Sequence, residues 1–262
     1  MEKDIIKQSV NADITQSFYN QMATAYDKLF SDWQAATHEQ AALLDAIFRE
    51  NGYNRQAKIL DCACGIGTQA VGLALLGYAV TGSDISSGEL AEAKRRAAQN
   101  HVAIRLEQAD FRALSQTFSE PFDLIITMDN ALPHMLSHKA LEAAVKSIVN
   151  QLAQGGMFVA SIRDYDSLLE EKPTYSAPYI HKTDKGQRVS FQTWEWFGDQ
   201  YRFIQYIIDD EGTAQVSRFA CEYRAVRRKE LTDLLLANGC REVLWKMPDE
   251  TGFYQPVVTA RK

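Results

Sequence analysis

Asp61, Gly65, Gly67 and Asp84 are the residues whose types and spacing could do chemistry together. The two glycines let a backbone turn approach a ligand closely, and a helix opening at such a turn aims its free N–H groups at that ligand. Asp84 follows at about twenty residues, the interval at which an acidic side chain meets a ribose in nucleotide-binding α/β folds. Gly65-x-Gly67-x-x-Ala70 also satisfies the relaxed dinucleotide fingerprint, so the glycines alone admit a nicotinamide nucleotide. Asp61 tilts the choice. A carboxylate ending the strand before Gly65 repels a pyrophosphate but attracts a ligand that carries an ammonium and a sulfonium.

The elements that must position these residues follow from periodicity. Ile59 and Leu60 open an apolar run that stops at the glycines, and Val71, Leu73, Ala74, Leu75 and Leu76 follow at helical spacing. Tyr78 to Thr81 predict a second strand, Val102 to Leu106 a third, Phe122 to Met128 a fully apolar fourth and Met157 to Ile162 a fifth. Ser86-x-x-Glu89 reads as a capping box for a helix through about Asn100, and another helix is expected from about Ser137 to Leu152. This alternation specifies an α/β fold with a doubly wound, Rossmann-like sheet, whose ligand lies past the carboxyl ends of the strands. Asp110 and Phe111, after the third strand, then suit an adenine amino group and ring. Met128, Asn130 and His134 follow the fourth strand, with His134 open as a base or as a residue that orders its loop. Arg163, after the fifth, offers a planar fork suited to a carboxylate, with an internal pair to Asp164 or Asp166 as the alternative.

Ahead of the first strand, Phe18, Met22, Ala25, Leu29 and Phe30 predict an amphipathic helix over 15–30. Thr37-x-x-Gln40 marks the start of a second helix and Gly52 its end. Residues 1–52 are thus expected to form a helical extension able to close the cleft, and 53–262 the main domain. Beyond Asp166, Val189 to Phe197, Tyr201 to Ile208 and Val216 to Val226 predict an antiparallel meander inserted at about 164–228. Whether it caps a pocket or forms a subunit contact is open.

The chain has 262 residues, 46% of them hydrophobic, enough for one large domain with additions. A net charge of −6 provides no general field for a polyanion, which argues against nucleic acid. Lys94-Arg95-Arg96 and Arg224 to Lys229 read as solvated surface. Cys62, Cys64, Cys221 and Cys240 lack metal-ligand spacing and are expected as buried thiols, with no metal required. No signal-like leader or apolar run long enough to span a bilayer is present, so a cytoplasmic protein without a membrane partner is expected.

Leu60-Asp61-Cys62-Ala63-Cys64-Gly65-Ile66-Gly67-Thr68 resembles motif I of the class I S-adenosylmethionine-dependent methyltransferases. Its Ala-Cys-Gly run, with Asn130-Ala131-Leu132-Pro133-His134 and Arg163-Asp164-Tyr165-Asp166, resembles the glycine and glycine/sarcosine N-methyltransferase branch. The resemblance runs from about residue 16 to the end and is firmest from Lys58 to about Tyr165. It implies S-adenosylmethionine as cofactor, S-adenosylhomocysteine as product, and N-methylation of glycine, sarcosine or a similar carboxylated amine by in-line displacement. On this resemblance the cofactor is held by Asp61, Ala63, Gly65, Gly67, Asp84, Ile85, Asp110, Phe111 and Met128, with Tyr19 and Trp33 from the extension. Arg163 holds the acceptor carboxylate, Asn130 offers its carbonyl to the amine, and Tyr26 and Tyr179 supply aromatic hydroxyls. Leu29 stands where the branch has a pocket tyrosine. Two alternatives use the same glycines, a nicotinamide-dependent oxidoreductase and a non-catalytic cofactor-binding sensor. A homo-oligomer is also open.

Overall fold

The computed structural model describes residues 14–184 and 186–262. Residues 1–13 of the expected extension lie outside the described residues. The parallel strands are Lys58–Asp61 (β1), Ala79–Asp84 (β2), Arg105–Gln108 (β3), Phe122–Thr127 (β4) and Leu152–Ser161 (β5). Because helices cover both faces, the central strands need no polar alternation, and Leu124, Ile125 and Ile126 are all fully buried. Two strands near the end of the chain, Arg241–Lys246 (β10) and Val257–Arg261 (β11), complete a sheet ordered β10-β11-β5-β4-β1-β2-β3. β11 runs antiparallel to β5, while β1 pairs in parallel with both β2 and β4. The strand order reverses at β1, so the crevice for a ligand opens there.

Thr68–Leu75 (α3), Ser87–Gln99 (α4) and His138–Gln151 (α5) connect these strands. The β3 start moves from Val102 to Arg105, since His101 takes a left-handed turn (φ 55°) that delays the strand. The capping box at Ser86 is half made. Ser86 Oγ accepts from the Glu89 N–H at 3.1 Å, but the Glu89 carboxylate turns inward and is buried without a hydrogen-bond partner among the described residues.

In the extension, residues 14–22 form a helix (α1) that tightens into a 3-10 helix over Ala23–Leu29 rather than continuing as one α-helix. The next helix, Trp33–Glu50 (α2), opens earlier than Thr37 suggested. Asp32 is its cap, accepting from the Ala35 N–H at 3.0 Å. Thr37 instead lies fully buried within the helix, against α3: a Cβ on Gly72 would stand 2.4 Å from the Thr37 carbonyl oxygen. Only glycine permits that approach.

The inserted sheet has four strands, not three: Tyr179–Thr183 (β6), Gly186–Phe197 (β7), Gln200–Asp210 (β8) and Ala214–Arg224 (β9), paired in that order and antiparallel. Strand alternation places Gln192, Trp194 and Trp196 on one face, opposite Gln205, Phe203 and Tyr201, and next to Cys221 and Tyr223. Phe18 of α1 meets Phe203 edge to face at 5.6 Å, which fixes α1 against this aromatic face.

The basic clusters are not solvated surface throughout. Arg96 stacks over the Trp33 ring at 4.2 Å and pairs with Asp27 at 3.0 Å, and the buried Arg224 pairs with Glu230 at 2.9 Å. All four cysteines are buried and free. Among the described residues no helix is long and apolar enough to cross a membrane.

Candidate active site

An inner cavity lies at the carboxyl ends of the parallel strands. Ala63 and Gly65 contribute the β1–α3 turn, Asp84 and Ile85 the tip of β2, Phe111 the segment after β3 and Met128 the segment after β4. Gly65 and Gly67 both adopt positive φ, +50° and +89°, which an L-side chain resists. Gly65 lines the cavity; Gly67 sits behind it, where a Cβ would meet Val71 at 3.2 Å, and its role is to start α3.

Asp84 accepts from the Gly65 N–H at 3.0 Å and the Ser86 N–H at 2.9 Å, one on each oxygen. A lone pair on each oxygen is left for hydroxyl donors. Asp61 is more telling. It is fully buried just outside the lining of the inner cavity, next to that lining's Cys62 and Ala63, and neither carboxylate oxygen has a hydrogen-bond partner among the described residues. Burial pushes its pKa well up, the Ala63 N–H opposes this from just outside hydrogen-bond geometry, and Asp84 and Asp129 push it further. A buried anion without a counter-charge is costly, and the ammonium of S-adenosylmethionine would supply that charge. The residues present therefore fit this cofactor.

Tyr19, Tyr26, Asp110 and His134 also line the inner cavity. Both Asp110 oxygens already accept from Arg112 Nε, at 3.0 and 2.9 Å, so an adenine amino group would meet only their remaining lone pairs. Trp33 is not in the lining. Its Nε1 donates to Thr68 Oγ1 at 3.0 Å, so it braces a lining residue from behind rather than touching a ligand. His134 is held at both ring nitrogens, by the Tyr19 hydroxyl at 2.8 Å and Cys221 Sγ at 3.7 Å, with its ring 4.2 Å from that of Tyr223. Burial lowers its pKa to about 3. Such an imidazole is too weak a base for an alkylammonium, and the geometry favours ordering over catalysis.

An outer cavity lies between the extension and the inner face of the inserted sheet, and it shares Tyr19, Tyr26 and Asp129 with the inner one. Arg163 faces it. Nη1 donates to the Tyr201 hydroxyl at 3.1 Å, Nη2 donates to Gln192 Oε1 at 2.9 Å, and the guanidinium lies 5.1 Å from the Trp194 ring. The alternative pair to Asp164 or Asp166 does not form, because both carboxylates bind Arg228. Arg163 has no carboxylate partner among the described residues, and three of its five N–H donors are left over.

Asn130 sits beside it in a left-handed conformation (φ 71°). Its Oδ1 accepts from the Arg163 backbone N–H at 3.1 Å and from the Tyr165 hydroxyl at 3.0 Å. A backbone donor fixes which end of the amide is oxygen, so the expected offer of that carbonyl to an amine is corrected. The buried end without a partner is Nδ2, a donor. Tyr165 is a fully buried link rather than packing alone, its hydroxyl also 2.9 Å from that of Tyr201. Tyr179 borders the outer cavity from β6 at 68% exposure, its ring parallel to that of His181. Gln192, Trp194, Tyr201 and Tyr223 were not singled out from the sequence; the period-2 pattern of the meander was the one signal that put them on a common face.

Residues 59–156 match the family described as methyltransferase domain. The chain is 28% identical over 155 residues to a glycine/sarcosine N-methyltransferase of Parasynechococcus marenigrum, covering 59% of this chain and 54% of that one. It is likewise 28% identical over 160 residues to glycine N-methyltransferase of Oryctolagus cuniculus, covering 56% and 53%. The matches thus span about half the length of these relatives. Among solved structures, an S-adenosylmethionine-dependent methyltransferase from Clostridium acetobutylicum superposes with a TM-score of 0.72 at 19% identity, over 93% of this chain and 97% of that one. An amino pentose methyltransferase from Micromonospora echinaspora, solved with S-adenosylmethionine bound, gives 0.72 at 20% identity over 91% and 94%. The fold is that of the class I S-adenosylmethionine-dependent methyltransferases, residues 59–156 match a methyltransferase domain, and the sequence resembles the glycine and glycine/sarcosine N-methyltransferases.

Proposed function

We infer that the protein transfers a methyl group from S-adenosylmethionine to the nitrogen of a small carboxylated amine, glycine and sarcosine being the simplest cases. Arg163 carries the reading: a guanidinium without a carboxylate partner among the described residues, with unused donors, facing the cavity beside the cofactor site. Its fork would take the acceptor carboxylate, and the Asn130 amide N–H would add a donor. The cofactor supplies an electrophilic methyl on an excellent leaving group. What remains for the protein is to align the amine, exclude water and hold the two reactants near attack distance. Asp61 and Asp84 would orient the cofactor's ammonium and ribose, with Phe111 and Met128 about its base. Residues 1–52 would then act as the closing extension of a domain over 53–262, with the insertion at about 164–228 covering the acceptor. A soluble cytoplasmic enzyme acting on a small molecule, with no nucleic-acid or membrane partner, completes the reading.

A larger acceptor is the second reading, favoured by the size of the outer cavity, about 550 Å³ among the described residues. That is ample for a drug-sized ligand and generous for glycine. Structural relatives at this fold similarity include an amino pentose methyltransferase.

Methyl-labelled S-adenosylmethionine incubated with a panel of amino acids and amino sugars tests both readings. Label in a carboxylated amine is expected; label in amino sugars alone overturns the carboxylate assignment. Label in no amine overturns the enzymatic reading.

A further inference from the structure

Among the described residues, Asp129 is the one carboxylate common to the linings of both cavities. It follows β4 directly and, with Asn130, forms a pair of consecutive non-glycine residues at positive φ, 56° and 71°. Backbone in this region costs energy and persists only where the surroundings hold it. Here they do: the Asp129 N–H donates to Ser161 Oγ at 2.8 Å and the Asn130 N–H to the Ser161 carbonyl at 3.1 Å. The carboxylate is aimed as firmly. Oδ1 accepts from the Tyr254 hydroxyl at 2.8 Å and Oδ2 from Gln69 Nε2 at 2.7 Å, and Gln69 is itself anchored on Gln40 Oε1 at 2.6 Å. Among the described residues Asp129 makes no ion pair, and each oxygen keeps a lone pair.

We propose that Asp129 is the group that receives the acceptor's ammonium at the junction of the two cavities and takes its proton. This rests on the acceptor assignment made under Proposed function. At neutral pH an amino acid arrives as an ammonium, which has no lone pair for attack. The N–H bond breaks, an O–H bond forms on Asp129, and the freed pair on nitrogen forms the new N–C bond. The C–S bond breaks with its electron pair going to sulfur. Asp129 then returns its proton to water as the product leaves. The placement suits the work, because Arg163 and Asp129 meet one outer cavity with opposite charges, a match for a zwitterion. His134, the other base nearby, is bonded at both nitrogens. The groups facing Asp129 are Tyr254, Tyr26 of the 3-10 helix and Asp61 of β1, together with the neutral Gln69. Burial raises its pKa and the Gln69 and Tyr254 hydrogen bonds oppose the rise, which moves a carboxyl toward the range useful to a base.

The test compares sarcosine with aminooxyacetate, a carboxylated acceptor whose nitrogen is already neutral at neutral pH. In Asp129→Asn, sarcosine turnover should fall by roughly 100-fold or more, in the range of a lost general base, and recover as the pH is raised toward the amine's own pKa. Aminooxyacetate turnover and S-adenosylhomocysteine affinity should stay within a few-fold. Calorimetry on the S-adenosylhomocysteine complex should show weaker binding of sarcosine but not of aminooxyacetate. Tyr254→Phe, which removes one donor to the carboxylate, should move the acidic limb of the sarcosine pH profile upward. An unchanged sarcosine rate and pH profile in Asp129→Asn, or equal loss of both acceptors, overturns the role of Asp129 alone. Failure of the wild-type protein to methylate either acceptor overturns the acceptor assignment and this role with it.

Discussion

The Tyr19 hydroxyl lies 2.8 Å from His134 Nε2, joining the helix before the first strand to the loop after the fourth, across the inner cavity. The contact makes the extension part of the cavity wall rather than a flank of the sheet. It also ties His134 to structure. Its pKa is lowered from 6.5 to about 3 by burial, so the unfolded chain binds the proton more readily between those values. The stability it contributes is present above pH 6.5 and is lost as pH falls toward 3. For His134→Gln, thermal denaturation across this range should show a shallower acid loss than wild type. The pH profile of kcat/KM should keep its shape, which a catalytic histidine would not allow.

Asp61 gives the opposite sign. Its pKa is raised by burial, so the folded chain holds the proton more tightly and stability falls as pH rises from the ordinary carboxylate range through the raised value. Glu89 and Asp84 are raised for the same reason and add to the slope. With the cofactor absent, these three carboxyls should favour mild acid over neutral pH, opposing the slope from His134. Asp61→Asn should flatten that dependence and raise the melting temperature at neutral pH. It should also weaken S-adenosylhomocysteine binding by roughly 10- to 100-fold, the scale of a lost charged hydrogen bond. Calorimetry and thermal shift read both effects.

Gly72 predicts a purely mechanical effect. A Cβ there would stand 2.4 Å from the Thr37 carbonyl oxygen and 2.7 Å from the Ala41 Cβ, so α2 must move away from α3. Gly72→Ala improves helix propensity yet should destabilise the protein by about 1–3 kcal/mol, the usual cost of overpacking, as measured by denaturant unfolding. A gain in stability would show that α2 is free to shift.

The glycine turn, Asp61, Asp84 and the run of parallel strands were legible because each is written in a short stretch whose local chemistry permits few conformations. The tips of the strands were legible by topology, which is why Arg163, Asn130 and Met128 could be placed beside the cavities. What the short range did not disclose is which atoms these side chains present. Asn130 turned its carbonyl to Arg163 and Tyr165, and Arg163 found Gln192 and Tyr201 on strands that come later in the chain. Asp32 took the cap that Thr37 mimicked, because α2 is set by packing on α3 as well as by its own sequence. Asp129 passed unnoticed between two more conspicuous neighbours. Its position on both cavities depends on Ser161, Gln69 and Tyr254, from elements on either side of it.

Transfer of labelled methyl from S-adenosylmethionine to sarcosine, measured in a single turnover for the wild type and for Arg163→Leu, bears most directly on the assigned chemistry. The wild type should place label on the amine. The variant should lose that transfer by at least about 100-fold, the loss of a bidentate carboxylate anchor together with the alignment it provides, while binding S-adenosylhomocysteine as the wild type does. Equal transfer by both proteins, or loss of cofactor binding together with transfer, would contradict the placement of the acceptor carboxylate on Arg163.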